Sequence, residues 1–199
     1  MSEQYFATEP SAAHREGSVH VILPDVHLEL KTDAGVFSAG RLDPGTRILL
    51  DTAPAPPAAG DLLDLGTGYG PIALVMAARS PGAQVWAVDV NQRALALTAA
   101  NARRAGLGNV TCTTPDDPAL PATFGMILSN PPIRIGKIAL HELLASWLGS
   151  LAAGGAAYLV VQRNLGSDSL QRWLAESGWA VRRAAARSGY RVLEVRQAA

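Results

Sequence analysis

Three short stretches of this chain carry residue types whose spacing suits them to hold and aim a ligand. In the first, Asp64-Leu-Gly66-Thr67-Gly68-Tyr-Gly70-Pro71, an apolar run (Leu62, Leu63, Leu65) leads into alternating glycines and then a proline. A strand, a glycine turn and a helix start together present free backbone N–H groups and let a ligand approach the main chain. Pro71 suits the first helical position, where its missing N–H would be unpaired in any case. The spacing G-x-G-x-G departs from the dinucleotide pattern, whose third glycine falls five positions after the first. Alone, it fits an unliganded turn as well as a cradle. The second is Asp89, which ends an apolar run about twenty residues later, where an acid binds ligand hydroxyls or serves the next helix start. The third, Ser129-Asn130-Pro131-Pro132-Ile133, sets a side-chain amide before two prolines. Prolines hold the backbone extended and keep the Pro131 carbonyl out of any helix, so two acceptors lie side by side. The same tripeptide also serves merely to end a strand.

The elements that must position these residues follow from periodicity. From residue 61 the pattern alternates strand and helix, which predicts a parallel sheet. Strands are expected at Leu62–Leu65, Gln84–Asp89, Asn109–Thr113, Phe124–Ser129 and Ala156–Gln162, and helices at Pro71–Arg79, Lys137–Leu151 and Ser167–Ser177. Asn91 is expected to cap a further helix whose sheet-facing stripe is Ala94, Leu95, Leu97, Thr98, Asn101 and Ala102. Trp179–Ala185 and Tyr190–Arg196 should pair antiparallel through Ser188-Gly189. Upstream, residues 1–17 read as a polar arm carrying Tyr5, Phe6 and His14, and Ser18–Leu23 with Val26–Lys31 as a hairpin. Asp43-Pro44 opens a helix with Asp as cap and Pro in the first turn. Pro54-Ala-Pro-Pro-Ala-Ala-Gly60 reads as a linker, which divides the chain into an N-terminal extension (1–55) and a main domain (56–199).

Composition narrows the classes. An apolar content of 48% with 17% charged residues argues against disorder, and no apolar run reaches the length that spans a bilayer. The single cysteine, Cys112, makes neither an internal disulfide nor, by itself, a zinc site, so no metal is expected. The polar start Met1-Ser-Glu-Gln lacks a signal-peptide pattern, which predicts a soluble, cytoplasmic protein. Formal net charge is zero, but residues 163–199 carry seven arginines against three acids. That balance fits either a local phosphate-binding face or a solvated surface.

The pattern D-x-G-x-G-x-G resembles the first motif of class I S-adenosylmethionine (SAM) methyltransferases. Asn130-Pro131-Pro132-Ile133 resembles their (N/D/S)-P-P-(Y/F/I) motif, which serves enzymes acting on nitrogens conjugated to a planar system. With Thr32-Asp-Ala-Gly-Val-Phe-Ser38, Leu42-Asp-Pro-Gly-Thr46, Arg134-Ile-Gly-Lys137, His141, Gln162 and Gly189-Tyr190, the chain is similar nearly throughout to the small-subunit ribosomal RNA guanine-N2 methyltransferases, the RsmC-like group. The resemblance implies an α/β, Rossmann-like fold: a mostly parallel seven-stranded sheet with an antiparallel last strand, plus the N-terminal hairpin and helix. It implies SAM as cofactor, bound by Asp64, Gly66, Thr67, Gly68, Gly70, Asp89 (ribose hydroxyls), Val90, Asp116 or Asp117 (adenine) and Asn130. Asn130, Pro131, Pro132 and Ile133 would form the methyl-transfer site, with Ile133 replacing the base-stacking aromatic of many relatives. Arg134, Lys137 and Arg163 would hold the phosphates of an RNA acceptor. A monomer or weak homodimer is expected. Other classes in view are a protein-glutamine or small-molecule N-methyltransferase and a non-catalytic RNA- or SAM-binding module. A missing tyrosine after Asn-Pro-Pro counts against the first, and the intact glycines, Asp89 and Asn130 against the second.

Overall fold

Two sheets organise the chain, which the computed structural model describes over residues 15–38 and 40–198. Tyr5, Phe6 and His14 of the expected arm lie outside those residues. The small sheet is the antiparallel hairpin of β1 (Gly17–Ile22) and β2 (His27–Thr32), with Gly17 opposite Thr32 and Ile22 opposite His27. Helix α1 (Pro44–Thr52) follows; the Asp43 carboxylate accepts the Thr46 N–H at 2.8 Å, and Pro44 sits in the first turn.

The large sheet contains β3 (Gly60–Leu65), β4 (Ala83–Val88), β5 (Val110–Thr113), β6 (Phe124–Ser129), β7 (Leu151–Gln162), β8 (Trp179–Arg187) and β9 (Tyr190–Gln197). Their spatial order is β5-β4-β3-β6-β7-β9-β8. Strands β3 to β7 run parallel, and β9 lies antiparallel between β7 and β8. Helices α2 (Pro71–Arg79), α3 (Gln92–Arg104), α4 (Lys137–Leu148) and α5 (Ser167–Glu176) cover the faces. Strand side chains alternate between faces with period two. Leu62, Val85, Met126 and Tyr158 therefore meet α2, α3 and the hairpin, while Leu63, Ile127, Leu159 and Val161 meet α4 and α5. Burial on both faces explains why these strands read as nearly unbroken apolar runs.

Two boundaries differ from expectation. Helix α4 ends at Leu148, and Leu151 already belongs to β7, which begins well before Ala156. The intervening Ala-Ala-Gly-Gly-Ala carries no strand signature, and the β6–β7 register shifts there. Gly154 adopts φ +77°, and a Cβ on Gly155 would approach the Phe124 and Gly125 carbonyl oxygens to 3.1 and 3.0 Å, so this close pairing tolerates only glycine. The β8–β9 turn forms as expected, with Ser188 and Gly189 both at positive φ, the primed geometry that suits a tight hairpin.

The N-terminal hairpin shares its core with the main sheet: Val19, Val21 and Leu30 are buried in one cluster with α2. Asn101 of α3, expected simply to face the sheet, is a buried bridge. Its amide accepts the Lys31 N–H at 2.8 Å and donates to the Lys31 and Tyr69 carbonyls, each at 2.9 Å. It thus joins β2 to the glycine turn. Arg79 of α2 adds an ion pair to Asp25 at 2.7 Å.

Candidate active site

Strand β3 has β4 on one side and β6 on the other, so the chain order reverses at its carboxyl end, where open α/β sheets bind ligands. A cavity of about 470 Å³ opens there. The glycine turn, Asp89 and Val90 line one half, and Asn130 to Arg134 the other.

The turn makes room by conformation. Gly66, Gly68 and Gly70 have φ of +80°, +59° and +94°. A Cβ on Gly66 would meet nothing within 4 Å, and one on Gly68 only Val36 Cγ1 at 3.9 Å, so both present open space. Gly70 is different: its Cβ would lie 2.6 Å from Leu74 Cδ1 and 2.9 Å from Thr98 Cγ2. It is required by packing, away from any ligand. The free N–H groups expected of this turn are largely absent. Gly66 and Thr67 donate to the Val88 carbonyl, Gly68 to Asp89 Oδ2 at 2.9 Å, and Gly70 to the Thr67 carbonyl. Short bonds across the turn use the donors up, leaving a cradle defined by space and by Asp89.

Asp64 lies beneath this turn, fully buried and off the cavity wall. Its Oδ2 accepts the Thr67 hydroxyl at 2.7 Å and the Ala73 N–H at 2.9 Å, tying the turn to the start of α2. Oδ1 has no hydrogen-bond partner, and burial pushes the carboxyl up to about 7. Asp89 faces the cavity; Oδ1 accepts the Asn91 N–H at 3.0 Å, and each oxygen keeps a lone pair. Burial raises its pKa, opposed by the backbone N–H groups it accepts. Val90 is 42% exposed at the same edge. Neither Asp116 nor Asp117 lines the cavity; Pro115 does. Asp116 accepts from the Thr114 hydroxyl at 2.5 Å, and Asp117 from the Thr113 hydroxyl and the Ala119 N–H.

In the other half, Asn130 leaves β6 with its amide nitrogen donating to Asp43 Oδ1 at 2.8 Å and Thr46 Oγ1 at 3.0 Å. Pro132, at φ −75° and ψ +72°, makes an inverse γ-turn in which the Pro131 carbonyl accepts the Ile133 N–H at 2.8 Å. The carbonyl is outside any helix, as expected, but one of its lone pairs is taken. Ile133 and Arg134 line the cavity, and Gly136, at φ +98°, starts α4. Lys137 lines an adjoining cavity of about 160 Å³ that shares Ile133 and Leu165 with the main one. Arg163 lines neither; its neighbour Gln162 lines the main cavity. Among the described residues no ion pair involves Arg134, Lys137 or Arg163.

The lining residues not assigned from sequence include Phe37, Asp43, Thr46 and Tyr190. Asp43 reads from sequence only as a helix cap. The Tyr190 ring packs on Gly45, where a Cβ would come within 2.8 Å of its Cε1, so Leu-Asp-Pro-Gly-Thr and Gly-Tyr belong to one contact. Phe37 is 48% exposed at the cavity. Its segment is anchored through the Gly35 carbonyl, which accepts from Asn91 Nδ2, and the Ala34 carbonyl, which accepts from Arg93. No helix among the described residues is long and apolar enough to cross a membrane, and no cluster of His, Cys, Asp or Glu among them is placed to hold a metal ion.

Comparison with known proteins bears on the whole of this arrangement. The Bacillus subtilis protein YbxB, itself uncharacterized, is 33% identical over 99% of this chain and 100% of its own length. The ribosomal RNA small subunit methyltransferase C of Shewanella amazonensis is 29% identical over 85% of this chain. The chain spans 51% of that protein, about half its length. Among solved structures, the T. thermophilus 16S rRNA N2 G1207 methyltransferase (RsmC), in complex with AdoMet and guanosine, superposes with a TM-score of 0.78 at 23% identity, covering 95% of this chain and 52% of that one. The profile of the methyltransferase small domain matches residues 27–194. The chain therefore belongs to the methyltransferase small domain family and is a SAM-dependent methyltransferase.

Proposed function

We propose that the protein methylates an exocyclic amino group of ribosomal RNA, with guanine N2 as the acceptor. One observation carries this reading: the glycine turn at the end of β3, Asp89 after β4 on one side and Asn130-Pro-Pro-Ile after β6 on the other all face the same cavity. The names of the RNA-methylating relatives support the substrate class.

The residues present fit SAM. Open space at Gly66 and Gly68 admits a ligand against the main chain, where any larger residue would intrude. The Asp89 lone pairs would take the ribose hydroxyls, and Val90 and Pro115 offer apolar surface for the adenine. When bound, SAM supplies a methyl group on a positively charged sulfur that departs as a neutral thioether, so no strong base is required.

The chain's own task is to orient the acceptor. An amino group conjugated to a ring is a poor nucleophile because its lone pair is delocalised. The Asn130 amide oxygen and the remaining lone pair of the Pro131 carbonyl would accept its two hydrogens. That draws the nitrogen toward tetrahedral geometry and points its lone pair at the methyl, so rate comes from positioning and electrostatic complementarity. The surplus proton then leaves to water. A nucleotide must extrude its base to enter, leaving its phosphates at the rim. Arg134, which lines the cavity, and Lys137, which lines the adjoining one, would hold them. Arg163 would act farther out.

The test is methyl transfer from labelled SAM to ribosomal RNA purified from a strain lacking the gene, with the modified nucleoside mapped by mass spectrometry. Expected is label in N2-methylguanosine. Transfer to protein or small molecules with none to RNA would overturn the assignment.

A further inference from the structure

Asn130 is gripped by a part of the chain that sequence reading treats as an accessory. Its amide nitrogen has two hydrogens to give, and both find acceptors at the start of α1, in Asp43 Oδ1 and Thr46 Oγ1. Those partners lie 87 and 84 residues away in the chain. Asp43 is itself fixed, because the same oxygen accepts the Thr46 N–H as the helix cap. Thr46 is 3% exposed, so its hydroxyl has little freedom. With both N–H bonds committed, the amide plane is set and Oδ1 is the atom left to accept a hydrogen bond from an incoming amino group. The opposite orientation would press an amide oxygen against a carboxylate oxygen, two acceptors with no proton between them.

We infer that Asp43 is a positioning residue of the methyl-transfer site: it locks the Asn130 amide so that its oxygen faces the incoming amino group. The inference rests on the role given to Asn130 above. A hydrogen bond to a carboxylate is stronger than one to a neutral group. Linked hydrogen bonds also polarise one another, so the grip makes the Asn130 oxygen a better acceptor as well as a fixed one.

The cap and positioning roles of Asp43 can be separated. Asp43→Ser keeps a good N-cap, but its hydroxyl is too short to reach Asn130. Asp43→Asn keeps an acceptor oxygen where the carboxylate was. The first readout needs no substrate. In ligand-free, ¹⁵N-labelled protein the Asn130 side-chain amide signals, identified by their loss in Asn130→Ala, should exchange with water at least ~10-fold faster in Asp43→Ser than in wild type. The second is kinetic. Asp43→Ser should lower kcat for ribosomal RNA by at least ~10-fold with SAM affinity within about threefold of wild type, and Asp43→Asn should recover most of the loss. The double variant Asp43→Ser/Asn130→Ala should be no slower than Asn130→Ala alone, within about twofold.

Unchanged amide exchange, unchanged kcat in Asp43→Ser, or losses that multiply in the double variant would overturn the inference. If Asp43→Ser unfolds, Thr46→Val serves in its place. It leaves the cap bond intact and removes one grip, so it should speed exchange and lower kcat several-fold; no change in either would again overturn the inference. Full turnover by Asn130→Ala would remove the functional reading and this inference with it. A dead Asn130→Ala beside a fully active Asp43→Ser would remove the inference alone.

Discussion

The two halves of the cavity are built by different means. The cofactor half is built on one local run, Gly66 to Tyr69, held from beneath by Asp64 and closed by Asp89 and Val90 a short distance on. Its hydrogen bonds tie the turn to the end of β4 and to the start of α2, through the Val88 carbonyl and the Asp64 and Asp89 carboxylates. The acceptor half is assembled from segments remote in the chain: Asn130 to Arg134 after β6, Asp43 and Thr46 from the extension, Tyr190 from β9. Side chains hold it together, chiefly the bonds from Asn130 to Asp43 and Thr46. The difference teaches that binding and chemistry should fail separately, because different parts of the fold hold them.

The sharpest break in that comparison is Asn130→Ala. Turnover should fall by about 100-fold or more while SAM affinity, measured by calorimetry, stays within a few-fold. Loss of both together would mean that the halves are not independent.

Gly68→Val addresses the other half. A branched side chain at φ +59°, facing the open cradle, should weaken SAM binding by roughly 10- to 100-fold, read by calorimetry on folded protein. Asp89→Ala should weaken it less, by about tenfold, as expected for one lost charged hydrogen-bond partner. Gly70→Ala is the counter-example within the same motif. Its Cβ would strike Leu74 and Thr98, so it should cost on the order of 1–3 kcal/mol of stability, seen in denaturant melts, before it affects the ligand.

Asp64 gives a pH signature to the cofactor half. Its carboxyl titrates near 7 when folded and at the ordinary carboxylate value when unfolded. Between those values the folded protein holds a proton that the unfolded chain has released, so stability falls as pH rises through that window. Asp64→Asn retains an oxygen for Thr67 and Ala73 and should flatten the decline, followed as melting temperature between pH 4 and 8. Asp89, raised in the same direction, should leave some slope behind. A decline as steep as wild type would place the proton elsewhere.

The smallest effects should come at the rim. Arg134→Ala and Lys137→Ala should raise the RNA concentration for half-maximal rate by a few-fold and reduce its salt dependence by about one phosphate contact each, with SAM binding retained. Unaltered concentration and salt dependence in both would make them surface charges.

How legible each half was in the sequence follows from the same contrast. The strand–turn–helix units, the Asn91 cap and the Ser188-Gly189 hairpin each depend on residues a few positions apart, so spacing revealed them. The donors of the glycine turn were misread because composition shows that N–H groups exist, not where they go: the Val88 carbonyl and Asp89 take them. Asp43 was visible as a cap because Thr46 is three residues away. Its second bond, to Asn130, needs the sheet to bring the two together. Likewise Asp116, plausible by its position after β5, turns to Thr114, a choice that loop geometry makes.

The placement of β9 between β7 and β8 gives one strand two duties. It is the strand through which β8 joins the sheet, and without it the edge of β7 would be left unpaired. The same strand carries Tyr190 onto Gly45 and closes the wall beside Asp43. The glycine turn between β3 and α2 needs no part of β9, whereas the opposite wall of the cavity does. A sheet edge and a pocket wall are thus sealed by one element, so damage to either is felt by both.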